Sequence, residues 1–272
     1  MKVNDLGRLD GPVLVFGGPY SNLQATQAVL DRAKAQGIPA DHMICTGDVV
    51  AYCADPSATV AAIRAAGCAV VAGNCEVQLA SDAADCGCGF APGSTCDRLS
   101  AAWFAHADAA LDGQARAWMA GLPDMVVFTH GSRRCAVIHG GVSDIARFVW
   151  PTGDDAELHQ EIKLIEDEIG PVDTVIAGHC GLPFSRRVGG VEWINAGVIG
   201  MPPNDGRPDT RYALLSGGAV RIEPLVYDHA GARAAMRHAG LTQGYDAALS
   251  TGYWPSEDVL PPELRRAATA NG

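Results

Sequence analysis

Residues 41–76, DHMICTGDVVAYCADPSATVAAIRAAGCAVVAGNCE, decide the fold. An apolar run leads to a polar tip at Asp48, a helix over 55–67 opens on Pro56 and stops at Gly67, and a second apolar run ends at Asn74. Proline suits the first turn of a helix because the N–H it lacks has no partner there, and glycine suits the exit. Two short apolar runs joined by a helix read as parallel strands with a crossover.

The alternation continues in both directions. Upstream, PVLVFGG (12–18) is a further buried strand, and the helix after it sets Leu23, Ala25, Ala28, Val29 and Leu30 at mostly helical spacing as far as Gly37. Downstream, MVVFTHGSRRCAVIHGGV (125–142) gives two strands joined by a basic turn, the second ending at His139. A charged helix over 154–170 precedes VDTVIAGHC (172–180), a short strand ending in His179; VEWINAG (191–197) and 210–228 keep β character. The segment from about residue 229 is Ala-rich and helical, then Pro-rich. We read an α/β chain with a largely parallel core, as one domain over 1–272 with a C-terminal helical extension. The stretch 80–97, ASDAADCGCGFAPGSTCD, lacks apolar periodicity and is expected to be a long loop of the kind that is functional or disordered.

The 272 residues carry 48% hydrophobic and 19% charged side chains, the balance of an ordinary globular protein. A net charge of -11 argues against a general nucleic-acid or anionic-membrane binder, so an anionic substrate would need local help such as a metal. No secretory signal and no apolar run of membrane-spanning length is evident. Nine cysteines, an odd number in such a chain, point to reduced thiols and a cytoplasmic location. Cys45, Cys68 and Cys135 lie in or beside apolar runs, where a thiol acts as a small hydrophobe; Cys96 receives no role.

Asp48, Asn74, His139 and His179 stand at the C-terminal tips of successive apolar runs, the sheet edge at which open α/β folds bind ligands. Each alone is an ordinary turn, cap or hydrogen-bonding residue; together they form a mixed N/O donor set suited to Zn, Mn or Fe. In this order, GDVVAYCADP, GNCE, IHGG, GHCGLPF and INAGVIGMPPNDGRPDTRYALL resemble the motifs of the calcineurin-like metallophosphoesterases, in particular the compact bacterial phosphatases, over roughly residues 12 to 230. The resemblance implies a four-layer sandwich of two facing β-sheets flanked by helices, a metal site at the strand tips, and phosphoester hydrolysis by a metal-activated water.

The departures from that pattern are orderly. The family's opening Asp-x-His falls on Gly18 and Tyr20, and the second His of its Gly-His motif falls on Gly181. By resemblance, all three belong to one of two metal positions, bridged by Asp48, while the set Asp48, Asn74, His139 and His179 for the other is complete. Cys75 stands where the family has a His that assists the reacting phosphate, which places Cys75, His139 and Asp48 in the catalytic set. Cys53, Cys75, Cys86, Cys88 and Cys180 gather near the same tips, so sulfur ligands replacing the lost ones are an expectation to test. Tyr20 either donates a hydrogen bond to phosphate or packs under its loop; Asn195 matches a motif Asn, and Asn204, with Asp205 and Arg207, forms a rim loop, giving three candidate substrate-binding residues. The two arginine pairs, at 133–134 and 186–187, read as solvated turn residues.

The leading expectation is a hydrolase of a small phosphorylated molecule with one or two divalent transition-metal ions per chain. Its competitors are a non-catalytic binder of metal or phospholigand, and a thiol-rich metal centre with different chemistry. Neither nucleic-acid polymer nor membrane is expected as a partner.

Overall fold

The computed structural model describes residues 1–266, so the end of the expected C-terminal extension lies outside the described residues. In chain order the first half contains β1 (Val3–Arg8), β2 (Val13–Phe16), α1 (Leu23–Ala35), β3 (Met43–Cys45), α2 (Pro56–Ala66), β4 (Ala69–Val70), α3 (Asn74–Ala80), α4 (Thr95–Ala110) and α5 (Gly113–Gly121). The second half contains β5 (Met125–His130), β6 (Arg133–Val137), α6 (Asp155–Ile169), β7 (Thr174–Ala177), β8 (Phe184–Val188), β9 (Val191–Asn195), β10 (Thr210–Ser216), β11 (Ala219–Leu225), α7 (His229–His238) and α8 (Tyr245–Thr251).

The strands form two sheets, ordered β1-β5-β6-β7-β9-β8 and β11-β10-β2-β3-β4. Pairing is parallel between β2 and β3, β3 and β4, β6 and β7, and β7 and β9, with antiparallel hairpins β5–β6, β8–β9 and β10–β11. Side chains alternate across a strand, and here the alternation separates the layers. Val13 and Val15 of β2 meet Val126 and Phe128 of β5 and Ile176 of β7 in one buried cluster between the sheets. Leu14 and Phe16 face the opposite way, into a cluster with α1, α2 and α4. Met125, Val127, Val175 and Ala177 point outward to α6 through Leu158, Ile162 and Ile165. Helices, sheet, sheet and helix are therefore the four layers, as the resemblance implied.

Local chemistry sets the ends of the crossover helices. Asn22 caps α1, its Oδ1 accepting the Ala25 N–H at 3.0 Å, while Pro56 opens α2 and Gly67 closes it at φ 71°. The sequence reading missed β1, whose exposed, weakly apolar residues gain strand structure by pairing with β5. It also placed Asn74 at the end of a strand; β4 stops at Val70 and Asn74 begins α3. The expected long loop is shorter than 80–97, because α3 runs through Ala80 and α4 starts at Thr95 behind a Ser94 cap. Ala232, Met236, Tyr245, Ala248 and Leu249 of α7 and α8 join the helix-side core with Leu14 and Phe16, so the extension packs as part of the body. Among the described residues no helix is long and apolar enough to cross a membrane.

Candidate metal centre

The tips of β3, β6 and β7 and the start of α3 bring four side chains to one point. His139 Nε2 lies 3.0 Å from Asn74 Oδ1, 3.1 Å from His179 Nδ1 and 3.4 Å from Asp48 Oδ2. None of the four residues is more than 8% exposed. The Asp48, His139 and His179 ligand atoms all lie within 4.8 Å of one another.

The hydrogen bonds around these residues determine which atoms face inward. His139 Nδ1 sits 2.7 Å from the Thr46 carbonyl; a carbonyl only accepts, so Nδ1 donates and the Nε2 lone pair of the neutral ring points into the cluster. Asn74 Nδ2 donates to the Cys86 carbonyl at 2.8 Å, which turns Oδ1 inward. His139 Nε2 and Asn74 Oδ1 thus turn lone pairs towards the Asp48 carboxylate and His179 Nδ1, a donor set that suits a cation between them. Ligands held by one ion at about 2.0–2.2 Å stand roughly 3.3–3.6 Å apart around a tetrahedron, close to the separations found. The residues fit a transition metal.

Electrostatics agree with that donor set. Burial opposes ionisation of Asp48, yet the facing His139 and His179 and the Cys75 N–H hold its carboxyl below the usual carboxylate range. Burial disfavours charge on His139, but the Asp48 carboxylate outweighs it and raises the pKa. Burial and then the neighbouring His139 charge lower His179 to about 3, leaving a neutral ring able to ligate. Asp48 and His179 adopt left-handed backbone, φ 53° and 59°, a conformation rare for residues other than glycine and one that gathers at functional sites.

Two buried carboxylates that the sequence reading overlooked hold the tips in place. Glu76 Oε2 accepts the N–H of Asp48 at 2.8 Å and of Gly73 at 2.9 Å, and Oε1 accepts that of Val50 at 3.3 Å. Burial and the Asp48 charge push Glu76 up to about 7. The GNCE stretch offered a signal, because a Glu in the first turn of a helix commonly reaches back to the N-terminal N–H groups. Glu161 of α6 is fully buried and accepts the N–H of Val142 at 2.6 Å and of Ser143 at 3.1 Å, fixing the loop after His139. Only the tertiary fold brings Glu161 there.

The expected sulfur ligands do not join the cluster. Cys86 and Cys88 are joined as a disulfide and so present no thiolate, while the other seven cysteines are free, in keeping with the expectation of mostly reduced thiols. Cys53 Sγ turns to the Gly200 carbonyl at 3.8 Å, and Cys180 Sγ to the Leu182 carbonyl at 3.7 Å. Cys75 stays beside Asn74, whose Nδ2 lies 3.6 Å from its Sγ; burial, then Asp48 and Glu76, raise its pKa well above the ordinary value, so it remains a thiol. Among the described residues the ligand group of His, Cys, Asp and Glu contains no cysteine.

Aromatic rings instead fill the place of the missing ligands. A Cβ on Gly18 would lie 2.7 Å from the Tyr20 ring and 2.8 Å from Val198, and one on Gly181 would lie 3.2 Å from Trp254. Tyr20 is 5% exposed and packs edge-on to Tyr52 at 4.8 Å. Asn195 and Asn204, expected to bind substrate, are committed elsewhere. Asn195 Nδ2 donates to the Gly178 carbonyl at 2.5 Å and its Oδ1 accepts the Gly197 N–H at 2.9 Å, bracing the turn behind His179. Asn204 bonds Glu257 at 2.7 Å and the Trp254 N–H at 2.8 Å, holding the C-terminal segment. Arg133 and Arg211 are paired with Glu192 at 2.5 Å and Asp205 at 2.6 Å, and Arg186 is paired with Asp155.

Residues 17–217 match the family model of the calcineurin-like phosphoesterase superfamily domain, about three quarters of the chain. The chain belongs to that superfamily. No curated protein matches it in sequence. Among solved structures, it is similar to a metallophosphoesterase from Sphaerobacter thermophilus, with a TM-score of 0.69 and 20% identity over 90% of this chain and 100% of that one. It is also similar to a hypothetical protein from Pyrococcus horikoshii OT3, with a TM-score of 0.71 and 16% identity over 90% of this chain and 99% of that one. At these identities the likeness concerns the fold.

Proposed function

We propose that the protein hydrolyses a small phosphoester with a single divalent transition-metal ion held by Asp48, Asn74, His139 and His179. The convergence of Asn74 Oδ1, His179 Nδ1 and Asp48 Oδ2 on His139 Nε2, at 3.0, 3.1 and 3.4 Å, carries this reading, and membership of the superfamily supports the reaction class. When bound, a metal of this kind polarises a phosphoryl oxygen and lowers the pKa of its water. The chain's own residues supply the rest. Asp48 provides the negative charge, His139 is held in the correct tautomer by Thr46, and Asn74 is aimed by the Cys86 carbonyl. Cys75, buried beside Asn74 and protonated, is the S–H nearest the position where the family pattern has a His, and is a weaker donor than an imidazolium. We expect slower turnover than in a two-metal relative, because one ion cannot clamp both the attacking and leaving oxygens.

The test is metal content and phosphate release on the same preparation. Protein stripped of metal and reloaded with Mn, Zn or Fe should hold one ion per chain and release phosphate or a monoester from simple esters. Asp48→Asn and His139→Ala should lose both properties. An ion without hydrolysis in any metal form would instead identify a binding protein on this fold, and absence of binding would overturn the metal-centre reading itself.

A further inference from the structure

The cavity beside His179 is walled by aromatic rings. Tyr20, Tyr52, Phe148, Tyr245 and Trp254 line it together with His179, around a cavity of about 50 Å³ that opens to solvent. His179 belongs to both sites: its ring is 4.4 Å from the Phe148 ring on the cavity side, and its Nδ1 is 3.1 Å from His139 Nε2 in the metal cluster. The cavity also lies where the ligands of a second ion are missing, since Gly181 is part of its lining and Tyr20 covers Gly18.

The walls are fixed before any ligand arrives. Tyr52 packs against Tyr20 at 4.8 Å and Tyr245 at 4.6 Å. Trp254 is anchored by its indole N–H to the Pro202 carbonyl at 2.7 Å and by its backbone N–H to Asn204. A preformed cavity spares a ligand the entropy cost of ordering its walls. Aromatic faces and edges reward a flat ring with offset or edge-to-face contacts, whereas sugar hydroxyls would lose hydrogen bonds there.

Building on the hydrolase reading above, we propose that this cavity is the subsite for a planar aromatic ring on the substrate's ester group, with the phosphate at the metal cluster. Loss of the second metal position and gain of the ring subsite are then one structural change. The aromatic walls and the His179 they share with the metal cluster carry the inference.

The test compares 2-phenylethyl phosphonate with ethyl phosphonate, which resist hydrolysis, by titration calorimetry on the manganese-loaded full chain. The phenyl compound should bind at least about tenfold more tightly, as expected for burial of one ring. Trp254→Leu should bring the ratio towards one, and Trp254→Phe should largely retain it. Phe148→Leu serves as a second variant should Trp254→Leu fail to fold, and should also lower the ratio. Equal affinities, or no binding of either compound, overturn the subsite. Phosphate release is measured separately on 2-phenylethyl phosphate and ethyl phosphate. Hydrolysis of ethyl phosphate together with equal phosphonate affinities sinks the subsite alone, whereas ring-selective binding without hydrolysis of either ester supports the subsite and sinks the hydrolase reading.

Discussion

At the position of the family's opening Asp, the Tyr20 side chain lies across Gly18. Gly18→Asp, which restores the carboxylate of the family pattern, should therefore destabilise the chain by about 1–3 kcal/mol through overpacking against Tyr20 and Val198. Pairing it with Tyr20→Ala should recover part of that loss. Urea unfolding of the single and double variants measures both. The thiols give a second residue-scale prediction. Burial pushes Cys135 up to about 11 and Cys180 up to about 12, so at pH 8 both remain protonated and should react slowly with a disulfide reagent until the chain is denatured. Reaction within seconds in native conditions would contradict the burial. The sequence showed Asp48, Asn74, His139 and His179 because each ends an apolar run. It did not show that Asn195 and Asn204 face inward to backbone and neighbours, since the direction of a side chain at a turn depends on what packs behind it.

Between elements, the centre depends on how the β3 tip is tied to the start of α3. Glu76 makes that tie with three backbone N–H groups from Asp48, Val50 and Gly73. Glu76→Gln replaces one acceptor oxygen with an N–H₂ that cannot accept, which should cost about 1–3 kcal/mol of stability. Metal affinity should fall by about 10–100-fold, the usual effect of losing a partner that orients the ligands. Calorimetric metal titration of the variant measures this, and unchanged affinity would mean that Asp48 is positioned without Glu76. The crossover of strand, helix and strand was legible from Pro56, Gly67 and the apolar runs. The start of α3 at Asn74 was not, because the short apolar run and the first helical turn share one continuous stretch of small residues.

Over the whole molecule, the ion should couple to stability. A ligand that binds only the folded chain at a hundred times its Kd adds about 2.7 kcal/mol, so excess Mn or Zn should raise Tm, and Asp48→Asn should abolish the rise. Thermal scans with and without metal read it directly. Alkali should act in the opposite direction. Cys135 and Cys180 have raised folded pKa values, so their contribution is fully present below the unfolded thiol pKa near 8.5 and is lost as pH rises towards about 11–12. Tm in reducing buffer should thus decline above about pH 9, and replacing both cysteines with Ala should lessen that decline, the other buried thiols keeping their share.

The sequence by itself determined the alternation of strands and helices and the four polar tips that form the candidate metal centre, because apolar periodicity and glycine or proline boundaries are local properties of the chain. It also exposed the departure at one of the family's ligand positions, as Gly18, Tyr20 and Gly181 stand where the family pattern has ligands. The tertiary structure alone decided what fills that position. Cys53 and Cys180 turn away and Cys86 pairs with Cys88, while Trp254, more than seventy residues beyond Gly181, closes over it. Packing between segments distant along the chain selects the nearest side chain in space, and no local pattern records that choice.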